Sequence, residues 1–199
     1  MIPLIVASRN PSKTSQIIPL LSDLPIPVVS LDKTPIKGEA EEDGLTLDEN
    51  ASKKALYVHE RSKGWTVADD TGFFIDALNG LPGIKAARWA GEGMSTEDIM
   101  HFTLDALKDV PVGKRTACFR TVAVLVSPSG VRTSFVGEVR GTILTAPRVA
   151  CQPMMPYSAI FVPDGQPKVW AQMSIAETNE ISHRAKAFRQ VHDFLKRQL

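Results

Sequence analysis

The sequence predicts a mixed α/β fold, a β-sheet with helices packed against it, and three observations carry that prediction. Short apolar runs alternate along the chain with segments whose apolar residues recur at helical spacing. Each helical segment is announced by a capping signal: Asn10-Pro11, Thr46-x-x-Glu49, Ser95-x-x-Asp98 and Ser182. In the middle of the chain, two β-rich runs flank Ser127-Pro128-Ser129-Gly130 and read as antiparallel partners, so the sheet is mixed rather than purely parallel.

Taken in order, residues 2–7 form a short apolar run that reads as a buried strand. A helix follows Asn10, with Ile17, Ile18, Leu20 and Leu21 as its buried side. Residues 32–45 are polar, acidic and glycine-containing, and read as a flexible loop. In the next helix Leu47, Ala51, Ala55 and Val58 share a face, while Glu49, Asn50, Lys53 and Lys54 lie away from it. Residues 66–78 read as strand, turn and strand, with Thr71-Gly72 as the turn and Leu81-Pro82-Gly83 ending the segment. The Ser95-capped helix runs to about residue 108. Residues 116–126 are the strongest strand signal, and residues 131–143 are its partner. Residues 146–168 carry five prolines and predict loops around a short strand at 159–162. The last helix buries Phe188, Val191, Phe194 and Leu195.

The 199 residues fit one large domain or two packed lobes, and a hydrophobic content of 43% supports a real core. A net charge of +1 provides no general basic field, so nucleic acid is not an expected partner and any polyanion site is local. Cys118 and Cys151 lack disulfide or zinc spacing. The start MIPLIVASRN lacks a basic leader, and no apolar stretch approaches the ~20 residues that span a bilayer. A cytoplasmic protein with no membrane partner is expected.

Four polar clusters sit at the ends of predicted elements. Ser8-Arg9-Asn10-Pro11-Ser12-Lys13 joins a strand to a helix; free N–H groups, the helix dipole and two cations would suit an anion there, although from this motif alone a plain connection with solvated basic residues is the simpler reading. Glu49, Asn50, Lys53 and Lys54 form the second, where Glu49 could equally close a capping box and pair with Lys53. Asp69-Asp70-Thr71 is the third: two adjacent acids at a strand end should point to opposite sides. Ser182-His183-Arg184 is the fourth, and cations at a helix N-terminus oppose its dipole unless an anion faces them. Together the clusters contain the parts of metal-assisted phosphate chemistry.

In order and spacing these residues resemble the inosine/xanthosine triphosphate pyrophosphatase family. Its T-x-N-x-x-K motif reads Ser8-Arg9-Asn10-Pro11-Ser12-Lys13, its T-F-x-E-N-A-x-x-K-A motif reads TLDENASKKA, and its A-D-D-S-G block reads ADDTGFFIDALNGLPG. Ala86-Ala87-Arg88-Trp89-Ala90-Gly91 and Ser182-His183-Arg184 follow in the family's order, so nearly the whole chain is covered. The resemblance implies a single domain over residues 1–199, an elongated α/β fold of two lobes with a central cleft, and a homodimer. It implies Mg²⁺-dependent hydrolysis of a nucleoside triphosphate between the α and β phosphates, giving the monophosphate and pyrophosphate. Asp70 would be the general base and a metal ligand, with Glu49 and Asp69 on the metal side. Lys13, Lys54 and Thr71 would hold phosphates, Asn10 would orient its loop, and His183 and Arg184 would contact the nucleotide.

The base-recognition segment departs from the family. Its G-F-G-Y-D-P-I-F stretch reads Met154-Met155-Pro156-Tyr157-Ser158-Ala159-Ile160-Phe161, so Met155 replaces the stacking aromatic, Pro156 a glycine and Ser158 an aspartate. Thr178 replaces a lysine ahead of Ser182. These changes imply an altered base preference, unless Phe161 or Trp170 supplies the stacking. Two rival readings remain from the sequence: a nucleotide sensor that no longer cleaves, and a metal-dependent phosphatase of monophosphates.

Overall fold

The computed structural model describes residues 2–199. The α/β class is as expected: strands β1 (Leu4–Val6), β2 (Val28–Ser30), β3 (Thr66–Ile75), β4 (Pro82–Gly83), β5 (Thr116–Val126), β6 (Arg132–Ile143) and β7 (Phe161–Pro163) form a mixed sheet. Its strand order is β2-β1-β3-β5-β6-β7, with β4 also pairing β3. The helices are α1 (Pro11–Leu21), α2 (Leu47–Ser62), α3 (Thr96–Ala106), α4 (Ile175–Ile181) and α5 (His183–Gln198). The chain divides into two compact units. The first comprises residues up to Thr71, Thr121–Glu138 and Ser182–Leu199; the second comprises Gly72–Arg120 and Val139–Ile181.

In the first unit, β1 lies parallel to both β2 and β3, in register Leu4 with Val28 and Ile5 with Thr66. Parallel strands covered by helices read as continuous apolar runs, and LIV of β1 is buried throughout. Leu4, Val6, Ile17, Leu21, Val67, Leu125, Phe188, Val191 and Leu195 form this unit's core. Each fully buried aliphatic or phenyl side chain contributes on the order of 1.5–3 kcal/mol by leaving water. The cap signals translate into bonds. Asn10 Oδ1 accepts from the Ser12 and Lys13 N–H groups, Thr46 Oγ1 accepts from the Glu49 N–H, and Ser182 Oγ accepts from the Ala185 N–H.

The second unit has its own core, in which the Phe73 ring lies 4.2 Å from Tyr157 and 4.3 Å from Phe119. Ser95 and Asp98 form a complete capping box on α3. Beyond its other end the buried Arg115 guanidinium donates to the Leu107, Val110 and Leu144 carbonyls.

Several expectations are corrected. Residues 66–78 contain no turn at Thr71-Gly72: β3 runs unbroken for 10 residues and a short 3₁₀ turn begins at Asp76. Gly72 is required for a close approach, because a Cβ there would sit 3.0 Å from the Gly83 carbonyl oxygen and 2.7 Å from the Phe74 ring. The two acids therefore stand inside a strand and do not terminate one. Asn50 is buried rather than facing away from the α2 core. Lys53 pairs with Asp43, and Glu49 with the Leu45 N–H at 2.6 Å, so the expected Glu49–Lys53 pairing and the reciprocal bond to Thr46 are replaced by ties to the acidic loop. Three-residue β2 and seven-residue α4 were not legible, because short elements leave too few residues to show a period, whereas the short strand expected at 159–162 is present as β7, shifted to Phe161–Pro163.

Candidate active site

The first unit gathers most of the singled-out residues around the middle of β3. Alternation along the strand sends Asp69 and Asp70 to different neighbours, as the side-chain period of two requires. Asp69, 3% exposed, meets α1 and α5: its Oδ2 lies 3.3 Å from Lys13 Nζ and 3.3 Å from Arg184 Nε. Asp70, 8% exposed, meets α2: its Oδ1 accepts from Lys54 Nζ at 2.9 Å and its Oδ2 from Asn50 Nδ2 at 3.4 Å. The anion opposite the His183-Arg184 helix start is thus a carboxylate of the chain itself. Thr71 Oγ1 bonds Thr121 Oγ1 at 2.7 Å and receives Arg184 Nη2 at 3.5 Å.

The electrostatics are lopsided. Burial pushes the Asp69 carboxyl up, but Lys13, Arg184 and Lys54 outweigh it and hold the group well below the usual carboxylate range. Burial lowers the Lys13 ammonium, and repulsion from Lys54 and Arg184 adds to this, so even Asp69 does not restore its ordinary pKa. The two partners differ because the acid faces three cations whereas the lysine has two of them as like-charged neighbours. For Lys54 burial also lowers the pKa, yet Asp70, Asp69 and Glu42 together prevail and raise it. His183 is lowered well below its ordinary value by burial and by Arg184, and is a neutral imidazole at pH 7.

Most of the free N–H groups expected of the strand–helix loop are already engaged. Asn10 takes the Ser12 and Lys13 N–H groups, Ser8 N donates to the Val6 carbonyl, and Asn10 N donates to Ser8 Oγ. Arg9 donates to the Ile36 and Gly38 carbonyls at 2.6 and 2.9 Å, and so anchors the acidic loop. Pro11 opens α1 and Ser12 follows it. The Lys13 side chain reaches Asp69 from this end.

Three further residues join the constellation. Gln16 Oε1 accepts from Arg184 Nη1 at 2.8 Å, Glu42 Oε2 lies 3.3 Å from Lys54 Nζ, and Thr121 holds Thr71. Gln16 follows Lys13 by one helical turn on the buried side of α1, and a polar residue among apolar ones there was a usable signal.

The remaining site candidates belong to the second unit. Met155 is partly buried against that unit's core. Pro156, Tyr157 and Ser158 are buried, and Thr178 is buried on α4. Tyr157 Oη donates to the Ala86 carbonyl at 2.7 Å, and burial pushes its phenol pKa up. Ser158 Oγ donates to the Met155 carbonyl at 2.7 Å and accepts from the Gln152 N–H at 2.9 Å. The serine thus ties its own loop. Ser158→Ala is expected to lower stability by about 1–3 kcal/mol by leaving that N–H without its acceptor, measured by urea unfolding.

Among the described residues no three His, Cys, Asp or Glu side chains gather into a metal cage, and no helix is long and apolar enough to cross a membrane. Asp70 and Glu42 share Lys54, while Glu49 accepts from the Leu45 N–H; the carboxylate oxygens of Asp70 and Glu42 are of the donor type that a hard cation takes together with substrate phosphates.

An α/β protein whose paired strand acids are each tied to buried cations has the equipment of a phosphate-handling enzyme. The chain belongs to the Ham1 family, which matches residues 4–194. It is 37% identical over 196 residues to a dITP/XTP pyrophosphatase of Thermoanaerobacter pseudethanolicus, covering 98% of each chain. It is 38% identical to one of Geobacter sulfurreducens, covering 96% of each. Its fold is similar to the Staphylococcus aureus Ham1 protein, with a TM-score of 0.86 and 29% identity over 99% of this chain and 100% of that one. A HAM1 protein from Coxiella burnetii gives 0.87 and 30% with the same coverage.

Proposed function

We propose that this protein is a nucleoside triphosphate pyrophosphatase, cleaving between the α and β phosphates to release the monophosphate and pyrophosphate. The observation that carries the reading is the division of labour within β3: Asp69 is held by Lys13 and Arg184, while Asp70 is met by Lys54 and Asn50. The Lys13 ammonium is disfavoured by its burial and by Lys54 and Arg184, and a substrate phosphate would relieve it. Lys54 and Thr71 are the other phosphate partners. Asp70 takes the proton of the attacking water as its oxygen adds to phosphorus and the anhydride bond opens. His183, neutral, and Arg184 contact the nucleotide.

Mg²⁺ is the cofactor in this reading, with Asp70 and Glu49 as its protein ligands and Asp69 supporting them through the neighbouring cations. When bound, such an ion polarises the phosphate oxygens and lowers the pKa of water. The curated relatives are named for dITP and XTP, and a non-standard purine nucleotide is the substrate class we assign to this chain. Its base preference is expected to differ from theirs, because Met155 and Ser158 replace the aromatic and the aspartate of the motif. The protein acts in the cytoplasm as a homodimer, without nucleic-acid or membrane partners.

The test is pyrophosphate release from a panel of nucleoside triphosphates with Mg²⁺. Turnover of inosine or xanthosine nucleotides is expected, and chelation with EDTA should abolish it. Release of orthophosphate instead would favour a phosphatase, and tight binding without turnover would identify a sensor.

A further inference from the structure

The contact between α5 and β6 holds the helix that carries His183 and Arg184, and at its centre is a glycine. Val136 and Glu138 are exposed, whereas Gly137 between them is buried under the helix. Gln190 Nε2 donates to the Val136 carbonyl at 2.7 Å and Lys186 Nζ to the Glu138 carbonyl at 2.8 Å, so two side chains bolt the helix to the strand on either side of Gly137. Phe135, two residues earlier and on the same strand face as Gly137, stacks against Phe194 at 5.6 Å. The helix is thus fixed along its axis, and its height above the strand is set where the two backbones meet.

A Cβ on Gly137 would lie 2.0 Å from the His183 carbonyl oxygen, 2.6 Å from the Ala187 nitrogen and 3.0 Å from Lys186 Cβ. The two nearest atoms are backbone, so no rotamer change relieves them. Real Cβ atoms essentially never come within 3.0 Å, so the first turn of α5 and β6 must part there by about 1 Å. Arg184 begins in that turn and ends 3.3 Å from Asp69 and 2.8 Å from Gln16. Contacts of that length do not survive such a displacement.

We propose that Gly137 is a positioning residue: its missing side chain sets the height of α5 on β6 and thereby seats Arg184 on Asp69 and Gln16. The consequence for turnover rests on the nucleotide-binding role given above to Arg184; the seating itself does not.

Two measurements test it. The first is a double-mutant cycle in urea unfolding with Gly137→Ala and Arg184→Met. If the alanine acts by unseating Arg184, it lowers the unfolding midpoint clearly less in the Arg184→Met protein than in the wild type. Equal lowering in both backgrounds overturns the proposal. The second is steady-state hydrolysis of inosine triphosphate with Mg²⁺. Gly137→Ala is expected to raise KM by about tenfold to a hundredfold with kcat less affected, since a misplacement of about 1 Å carries costs of that order. A partly unfolded but otherwise normal enzyme would lose apparent kcat at unchanged KM, and that result also overturns the proposal. Absence of turnover in the wild type would remove the functional reading while the urea cycle still decides the seating. Should Gly137→Ala not fold, Lys186→Met with Gln190→Leu loosens the same contact without crowding it and enters the same cycle, with the same two outcomes.

Discussion

Asp70→Asn abolishes pyrophosphate release while leaving the protein folded: that is the largest effect on activity expected from a single substitution. A positioned general base contributes about 10²–10⁴ in rate, and the carboxamide cannot take the proton. The fold should tolerate the change because the carboxamide oxygen can still accept from Lys54, which also keeps Glu42 at 3.3 Å. The measurement is pyrophosphate release under saturating nucleotide, paired with thermal unfolding of both proteins. A variant that unfolds with the wild type and still turns over at the wild-type rate would remove Asp70 from the role of base.

The largest effect on stability is expected one residue earlier. Asp69→Asn leaves buried Arg184 and part-buried Lys13 without their counter-charge, and breaking a buried ion pair from one side costs about 3–5 kcal/mol. Acid dependence carries the same signature. The folded pKa of Asp69 lies below its unfolded value, which is about 3.9 for a free aspartate. A depressed carboxylate pKa means that the unfolded state binds the proton more readily. The stability from Asp69 is therefore complete above about pH 5 and is lost as pH falls through the acid range below it. Urea midpoints of wild type and Asp69→Asn from pH 6 to pH 2.5 should converge on acidification. Parallel curves would show that the carboxylate contributes no such linkage.

What could be read in advance, and what could not, follows from the range of the interactions. Caps are local, so Asn10, Thr46, Ser95 and Ser182 marked their helices before any tertiary contact was known. The β5 and β6 strands were legible because long β-rich runs flank a proline–glycine turn. The order of the motifs singled out residues that the fold brings together on β3, but not the network that joins them. Nothing near Arg184 in the sequence says that its anion is Asp69, 115 residues away. The unbroken course of β3 was hidden for a related reason: Thr71-Gly72 has turn chemistry, and the close approach of Gly83 that calls for the glycine is a tertiary fact. Arg9 was hidden in the opposite sense, because its guanidinium is engaged by the Ile36 and Gly38 carbonyls, which a motif does not display.

The first unit is assembled from three separated stretches of chain, and the last of them begins at Ser182. During synthesis from the N-terminus, Asp69 emerges with Lys13 already made but without its guanidinium partner. The Asp69 ion pair with Arg184 thus closes only after α5 has been made, so in the nascent chain Asp69 and Lys13 wait for a guanidinium that is synthesised 115 residues later.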